Sequence, residues 1–448
     1  MTTRRGRYWR EEMETAPPAR LRSIEQTKLR RQLDYAWTTS PFYRRKWEAA
    51  GIDPGRLQHV EDLGRLPFTE KRELQETQEA SPPFGDNRCA PIEQLVRMQA
   101  TGGTTGRPLR LALTRRDIDV YNEVGARAAW AAGLRPGDVL FECMNYSLYA
   151  GGVSDHMTFE TVGACVAPVG IGQSRRLLEI IRDMRIPVSL YSTPSYALHL
   201  AQVAREDGLE PARLGIAKGL FSGDAGLAVP GYRQQIERTW NLAARDIWGM
   251  GELGALAAEC ELVDGLHYLG QGLFVVELVD AETGAPRPLV EGAVGELVLT
   301  TLEREAFPLI RFRSHDHVRI AVEPCPCGRA GFRFVILGRS DDMFIVKGIN
   351  VYPLGVQDVL DGFRPELTGE FQILLDDPPP ITRDPRLRVE YGESVRPEAL
   401  ARLRERVTRR IRDVLVFTPV VELVPAGSLP RSERKAKRLY RLYQGEHA

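Results

Sequence analysis

The chain has 448 residues, 43% hydrophobic and 27% charged, with 60 basic side chains set against 60 acidic ones. That length exceeds one ordinary core and predicts two or three domains, and the even charge balance excludes the global positive field of a protein that tracks nucleic acid. No run of eighteen apolar residues offers a membrane span, and the opening MTTRRGRYWREEMETAPPAR has no apolar stretch behind its charges, so it does not read as a secretory signal. A cytoplasmic enzyme with small-molecule partners, contacting neither nucleic acid nor membrane, is the expectation. Six cysteines are too sparse for a disulfide scaffold, which leaves reduced thiols or a metal site. The only lysines are Lys28, Lys46, Lys71, Lys218, Lys347, Lys435 and Lys437, so a lysine kept inside a motif stands out.

In chain order, the first hundred residues read as helical, through IEQTKLRRQLDYAW, SPFYRRKWEAAG and LPFTEKRELQET, where Thr69 is placed to cap a helix. From about Gln94 to Thr301, β-rich runs (LRLALT, DVLFECM, ACVAPVG, PVSLYST, GLFSG) alternate with helical ones (RRLLEIIRDM, SYALHLAQVARED), which predicts α/β layers. The β-rich stretch LFVVELVDAETGAPRPLVEGAVGELVLTTL overlaps the end of that region, with Glu282, Thr283 and Gly284 as its hairpin turn. Past Gly338 the pattern becomes helix (about 353–362), strands EFQILLDD and RLRVEYGE, the amphipathic helix RPEALARLRERVTRRIRDVL and a last strand PVVELVP. That order predicts a small α+β domain.

The segment Thr101-Gly-Gly-Thr-Thr-Gly-Arg-Pro108 lies between two strand-like runs. Its glycines let the backbone close around a phosphate while N–H and hydroxyl groups donate together. No Gly-Lys-Ser/Thr follows, so it is not a Walker loop, and a glycine-rich hairpin without ligand is the plain alternative. Gly249-Met-Gly-Glu-Leu-Gly254 spells the dinucleotide fingerprint, but Asp264-Gly265 interrupts before a crossover helix can form. The expectation is instead a loop that presents Glu252, with Trp248 as a flat aromatic face.

With SGDAG (222–226), RFRSHD (311–316), GRSDD (338–342), VKGINVYP (346–353) and LPRSERKAKR (429–438), these motifs fall into one order. In that order, and with TPSYAL (193–198), ECELVDGLH and TTLEREAFPLIRFRSHD, the chain resembles the phenylacetate-CoA ligase family of the adenylate-forming superfamily from about Ser40 to Arg438. The resemblance implies an α/β fold: a large multi-layer N-terminal adenylate-forming domain (1–338) joined by a hinge (339–341, pivoting at Asp341) to a small mobile α+β C-terminal domain (342–448). It implies that ATP and Mg2+ activate an aryl or arylacetic acid as its acyl-adenylate, which then passes to coenzyme A. A carrier-protein thiol or an amine is the alternative acceptor. A degenerate nucleotide-binding protein is the non-enzyme alternative, disfavoured by the presence of both Glu252 and Lys435, and a homodimer is compatible with either.

Residue by residue, the resemblance implies Thr101, Gly102, Gly103, Thr104, Thr105 and Gly106 around the phosphates. It implies Gly223, Asp224, Ala225, Trp248 and Gly249 near the nucleotide, with Asp316 and Arg339 at the ribose. Glu252 would hold Mg2+, Lys435 would be the catalytic lysine, and Gly348 would line the pantetheine channel. Arg434 stands where the family carries glycine, and Trp248 where it usually has tyrosine. The acid pocket is expected from Tyr146, Tyr149, Gly151, Gly152, Tyr196, Met250 and Gly251, since aromatic walls over small floors suit a planar ring. Cys260, His267, Cys325 and Cys327 form a candidate tetrahedral zinc set, with buried thiols and a surface histidine as the alternative; Cys89, Cys143 and Cys165 lie in apolar runs and read as packing.

Overall fold

A computed structural model describes residues 6–57, 59–101, 108–224, 226–228, 230–340, 343–346, 349–378, 381, 383–430 and 437–446. The chain enters through α1 (Glu11–Glu14), α2 (Pro18–Thr39), α3 (Pro41–Ala49) and α4 (Lys71–Ala80), so the helical reading of this region holds. Ser40 caps α3 by accepting from the Tyr43 N–H at 3.3 Å. Thr69 does not cap α4. That position belongs to Glu70, whose N–H donates to Glu73, while the Thr69 hydroxyl donates to the Ile310 carbonyl at 2.7 Å and its backbone bridges to a strand. A buried hydroxyl takes the nearest buried acceptor, and here a distant strand supplies it.

The hairpin β1 (Arg97–Ala100) and β2 (Arg110–Leu113) flanks the glycine-threonine segment, and α5 (Arg115–Ala131) follows behind a Thr114–Asp117 capping box. The alternating region is β3 (Val139–Glu142), α6 (Ala150–Val162), β4 (Cys165–Pro168), α7 (Ser174–Met184), β5 (Val188–Ser192), α8 (Pro194–Glu206), β6 (Ile216–Phe221) and α9 (Pro230–Trp240). Strand β3 pairs parallel with β4 and β5, and β5 parallel with β6, as helical crossovers require. The strands then turn antiparallel: β7 (Ala243–Met250), β8 (Gly254–Ala258), β9 (Leu266–Tyr268), β10 (Phe274–Val279), β11 (Pro286–Arg287), β12 (Val294–Thr301), β13 (Phe312–Ala321) and β14 (Arg333–Arg339). All join one twelve-stranded sheet in the order β11-β10-β12-β13-β14-β9-β8-β7-β6-β5-β3-β4. The expected turn at Glu282–Gly284 joins β10 to β11, held by Asp280 accepting from the Thr283 N–H at 2.9 Å.

The later elements are β15 (Phe344–Val346), β16 (Ile349–Val351), α10 (Pro353–Asp361), β17 (Leu367–Leu375), β18 (Arg386–Tyr391), α11 (Leu400–Leu415), β19 (Val420–Val424) and β20 (Leu439–Arg441). A four-stranded sheet, β19-β18-β17-β20, forms a core with α10 and α11. Helix α11 buries Leu403, Val407 and Ile411, one per turn, and its remaining positions are mostly charged. The sequence pattern anticipates every element of this sheet except β20, and it also misses the short β15–β16 hairpin.

By compactness the chain divides into two units, one of 1–192, 215–223 and 245–335, the other of 193–214, 224–244 and 336–448. The later boundary falls three residues before the expected one at 338. Helices α8 and α9, which the sequence reading assigns to the large domain, group with the second unit. Trp240 of α9 donates to the Ala197 carbonyl of α8 at 2.9 Å, and α9 packs on α10. Gly338 has φ +146°, and a Cβ there would lie 2.5 Å from the Tyr352 ring, so only glycine fits.

Candidate active site

The Gly249–Gly254 segment is the tight connection between antiparallel β7 and β8, which removes the dinucleotide reading: no crossover helix follows. A Cβ on Gly249 would sit 2.3 Å from the Gly254 carbonyl oxygen, and Gly254 has φ +86° against the Tyr121 ring, so close strand approach accounts for both glycines. The turn presents Glu252 as expected. Its carboxylate is buried and paired with the Lys71 ammonium at 3.0 Å. The turn backbone is fixed from three sides: the Gly251 carbonyl accepts from Gln99 Nε2 at 3.2 Å and from the Tyr121 hydroxyl at 3.1 Å, and the Glu252 carbonyl accepts from Arg304 Nη2 at 2.9 Å.

Thr101 closes the mouth of the β1–β2 hairpin. Its N–H donates to the Leu109 carbonyl at 3.0 Å, and its buried hydroxyl accepts from the Leu109 N–H at 3.2 Å. A Cβ on Gly251 would lie 3.3 Å from the Thr101 methyl and 3.7 Å from Ala150, while the Ala100 N–H donates to the Leu148 carbonyl at 2.6 Å. The hairpin mouth, the Glu252 turn and the start of α6 therefore meet at one place. Gly102, Gly103, Thr104, Thr105 and Gly106 lie outside the described residues, as do Ala225, Asp341, Gly348 and Lys435.

The third of these segments carries the expected aromatic wall. Tyr149 is the N-cap residue of α6, and its ring covers Gly151, where a Cβ would come within 2.8 Å of Cε1; at Gly152 a Cβ would strike the Asn145 carbonyl at 2.5 Å. Burial, then the charges of Asp155 and Glu252, push the Tyr149 phenol up. The Tyr146 hydroxyl donates to Glu142 Oε2 at 2.8 Å and lies 2.9 Å from His156 Nδ1. Met250 ends β7, half-buried, and Gly223 follows β6 with φ +89°. Tyr196 belongs to the second unit, where it is fully buried in α8 beside His199. Asp224, also in that unit, accepts from the Ser195 hydroxyl at 2.8 Å.

Trp248 and Asp316 are both buried and joined directly, indole Nε1 donating to Oδ2 at 3.2 Å, with the Trp248 ring edge-on to Phe334 at 5.3 Å. One oxygen of Asp316 is thus held by the residue expected against adenine. Arg339 ends β14 in the second unit.

The four metal candidates converge. Cys260 follows β8, His267 sits in β9, and Cys325 and Cys327 follow β13; their donor atoms all lie within 4.8 Å of one another and all four residues are buried. Cys260 and Cys325 Sγ are 3.9 Å apart, and Cys327 Sγ is 3.5 Å from His267 Nε2. Bonds of about 2.0–2.3 Å to a tetrahedral zinc separate its donors by roughly 3.3–3.8 Å; the Cys327–His267 pair falls in that range and the Cys260–Cys325 pair lies just outside it. The Cys327 thiol is held far below its ordinary value by the hydrogen bond from Cys260 and, against burial, by His267. The surface-histidine alternative fails, since His267 is 2% exposed. Of the remaining cysteines, Cys143 is buried and Cys89 half-buried; Cys165 is exposed, contrary to the packing expectation.

Residues 45–301 match the AMP-binding enzyme family and residues 348–441 the AMP-binding enzyme C-terminal domain. The chain is 36% identical to the phenylacetate-coenzyme A ligase of Thermus thermophilus, over 94% of this chain and 96% of the relative, and 33% identical to that of Escherichia coli, over 96% and 97%. The chain belongs to the phenylacetate-CoA ligase family. It is an AMP-forming acid–CoA ligase. A solved 2-hydroxyisobutyryl-CoA ligase, in the postadenylation state with its acyl-AMP, superposes with a TM-score of 0.91 at 34% identity, covering 99% of this chain and 95% of that one. Among the described residues, no helix of this ligase is long and apolar enough to cross a membrane.

Sequence reasoning missed the residues that act on the site through others. Gln99, Tyr121 and Arg304 reach the Glu252 turn through backbone carbonyls, a role that leaves no motif. Lys71 was findable, being one of the few lysines and directly after Thr69-Glu70 in a motif-like stretch. Glu142, Asp155 and His156 were hidden inside a β-rich run and a helix.

Proposed function

We propose that this ligase activates an aryl or arylacetic acid with ATP and transfers the acyl group from AMP to coenzyme A. The observation that carries the reading is the meeting of the hairpin mouth at Thr101, the Glu252 turn and the Tyr146–Gly152 segment beside parallel strand ends, where α/β sheets bind ligands. In this account, Thr101 and the 102–106 loop hold the β- and γ-phosphates, Trp248 and Gly249 lie along adenine, and Asp316 with Arg339 holds the ribose hydroxyls. Gly223, Asp224 and Ala225 flank the nucleotide, and Tyr146, Tyr149, Gly151, Tyr196, Met250 and Gly251 surround the acid.

Glu252 suits a magnesium ion that takes one carboxylate and completes its shell with phosphate oxygens and water. Held by Glu252, magnesium would supply the positive charge that offsets the negative charge building as pyrophosphate leaves. Lys71, now paired with Glu252, would turn its ammonium to the phosphates when the carboxylate takes up the cation. Lys435 would bridge the acyl and α-phosphate oxygens as two anions approach. Rotation at Asp341 would then move the C-terminal domain (342–448) relative to 1–338, and Gly348 would let the pantetheine arm pass. The Cys260–His267–Cys325–Cys327 cluster would hold a structural zinc that staples the strand behind the Glu252 turn to the end of β13.

ATP–pyrophosphate exchange over a panel of aromatic and aliphatic acids, with and without CoA, tests this reading. Exchange should be fastest with an aryl or arylacetic acid, and thioester should appear only when CoA is added. Fastest exchange with acetate or a long-chain fatty acid would refute the aromatic assignment.

A further inference from the structure

A second cluster of polar side chains lies beside the expected acid pocket, all within the first unit. Glu142 is the last residue of β3, and its register partner on parallel β5 is Tyr191. It therefore sits at the carboxyl edge of the parallel strands, four residues before Tyr146. Its side chain is 0% exposed. Oε2 accepts from the Tyr146 hydroxyl at 2.8 Å and stands 3.5 Å from His156 Nδ1, which is itself 2.9 Å from the Tyr146 oxygen. On the other nitrogen, His156 faces Glu160 at 3.2 Å. Asp155, next in line, accepts from the Tyr191 hydroxyl at 2.5 Å.

The proton inventory leaves one group unsatisfied. Tyr146 has a single hydroxyl proton, which goes to Glu142 Oε2, so its oxygen accepts from the Nδ1–H tautomer of His156. Burial, with the nearby charge of Asp155, pushes the Glu142 carboxyl up to about 9, so it holds a proton at neutral pH. With Oε2 accepting, that proton is on Oε1, and Oε1 is buried without a hydrogen-bond partner among the described residues. A neutral carboxyl kept protonated in an apolar site acts as a hydrogen-bond donor. An unmet buried donor is costly, and a site built that way discriminates strongly against ligands that lack the matching acceptor.

We propose that Glu142, positioned with Tyr146 and His156, selects a carboxylic acid that carries a hydroxyl group, the hydroxyl oxygen accepting from Glu142 Oε1. Resting on the aromatic reading above, this specifies a hydroxyaryl or hydroxyarylacetic acid. A hydroxyl is preferred over an amino group because its oxygen keeps a second lone pair for Oε1–H, whereas an aryl amine's only lone pair is drawn into the ring. Water is the competing acceptor, and it would give no selectivity.

The test is pyrophosphate exchange by the full chain on matched acids: hydroxylated, amino-substituted and unsubstituted, in both aromatic and short aliphatic series. The hydroxylated member should exceed its unsubstituted counterpart at least tenfold in kcat/KM; Glu142→Leu, which removes the donor, should narrow that ratio through KM for the acid with KM for ATP held, whereas Glu142→Gln, whose amide N–H still donates, should keep it. Thermal melts confirm that both variants fold, and the wild-type panel stands without them. Equal rates for hydroxylated and unsubstituted acids, or preference for the amine, would overturn the proposal while leaving the aromatic reading intact. Selectivity for the hydroxyl confined to the aliphatic series would instead retain the Glu142 role and refute the aromatic reading.

Discussion

The Cys/His cluster and the Glu142 cluster are both buried sets of polar groups in the same unit, but they were built in opposite ways. The four metal candidates are separated by up to 67 residues, 260 to 327, yet their side chains converge within 4.8 Å. The Glu142–Tyr146–His156 set spans fifteen residues, 142 to 156, and packs by hydrogen bonds between ordinary side chains. The first set gathers four ligand-type donor atoms within 4.8 Å of one another, a number and reach that one tetrahedral ion would take. The second is left with an open valence at Oε1. A closed set reads as architecture and an open one as recognition, and each can be broken separately.

The largest effect should come from the closed set. Chelation, or Cys327→Ser, should remove bound zinc and lower the melting temperature by about 10 °C or more, since metal binding at such a site is folding free energy. Metal analysis of protein purified without chelators should find zinc; its absence would make this a cluster of buried thiols.

The smaller effect lies in the open set and is read by pH. Glu142 has a folded-state pKa raised to about 9 by burial and by Asp155, opposed by the Tyr146 hydrogen bond. Asp155 is itself pushed up to about 7 by burial, against the hydrogen bond from Tyr191, and Tyr191, Tyr146 and His156 are titratable groups that face the pair. A raised carboxyl pKa means that the fold binds the proton more tightly than the unfolded chain. The stability this contributes is present below the ordinary carboxylate range and lost as pH rises toward about 9. Denaturation of wild type and Glu142→Gln should therefore diverge in favour of the variant across that window, by at most about 1.4 kcal/mol per pH unit. Parallel curves would show that Glu142 is not buried as a neutral acid.

The same contrast explains what could be read from residues alone. Cysteine and histidine offer few readings, so their convergence was legible despite long spacing. The Glu252 turn was legible because Gly249 and Gly254 mark close backbone approach, and Asp264-Gly265 correctly ruled out a crossover helix. Glu142 was not legible. In DVLFECM one acid within an apolar strand looks like an exposed edge residue, and only the parallel pairing with β5 shows that it is buried. Thr69 was misread for a similar reason: local chemistry favoured a cap, while the acceptor that claimed its hydroxyl lies 241 residues away. Helices α8 and α9 lie inside the residues matched to the AMP-binding enzyme family yet group by compactness with the second unit, a pairing the sequence does not announce because nothing local in an amphipathic helix names its packing partner.

The central claim, acyl transfer from an aromatic carboxylate through AMP to CoA, has one direct test. The ligase is supplied with an aryl acid labelled with oxygen-18 in both carboxylate oxygens, ATP and CoA, and the products are separated and weighed. Attack of the carboxylate on the α-phosphate leaves one labelled oxygen in AMP and one in the thioester carbonyl, with none in pyrophosphate. That distribution is expected; label in pyrophosphate or free phosphate, or labelled AMP without CoA thioester, would contradict the account.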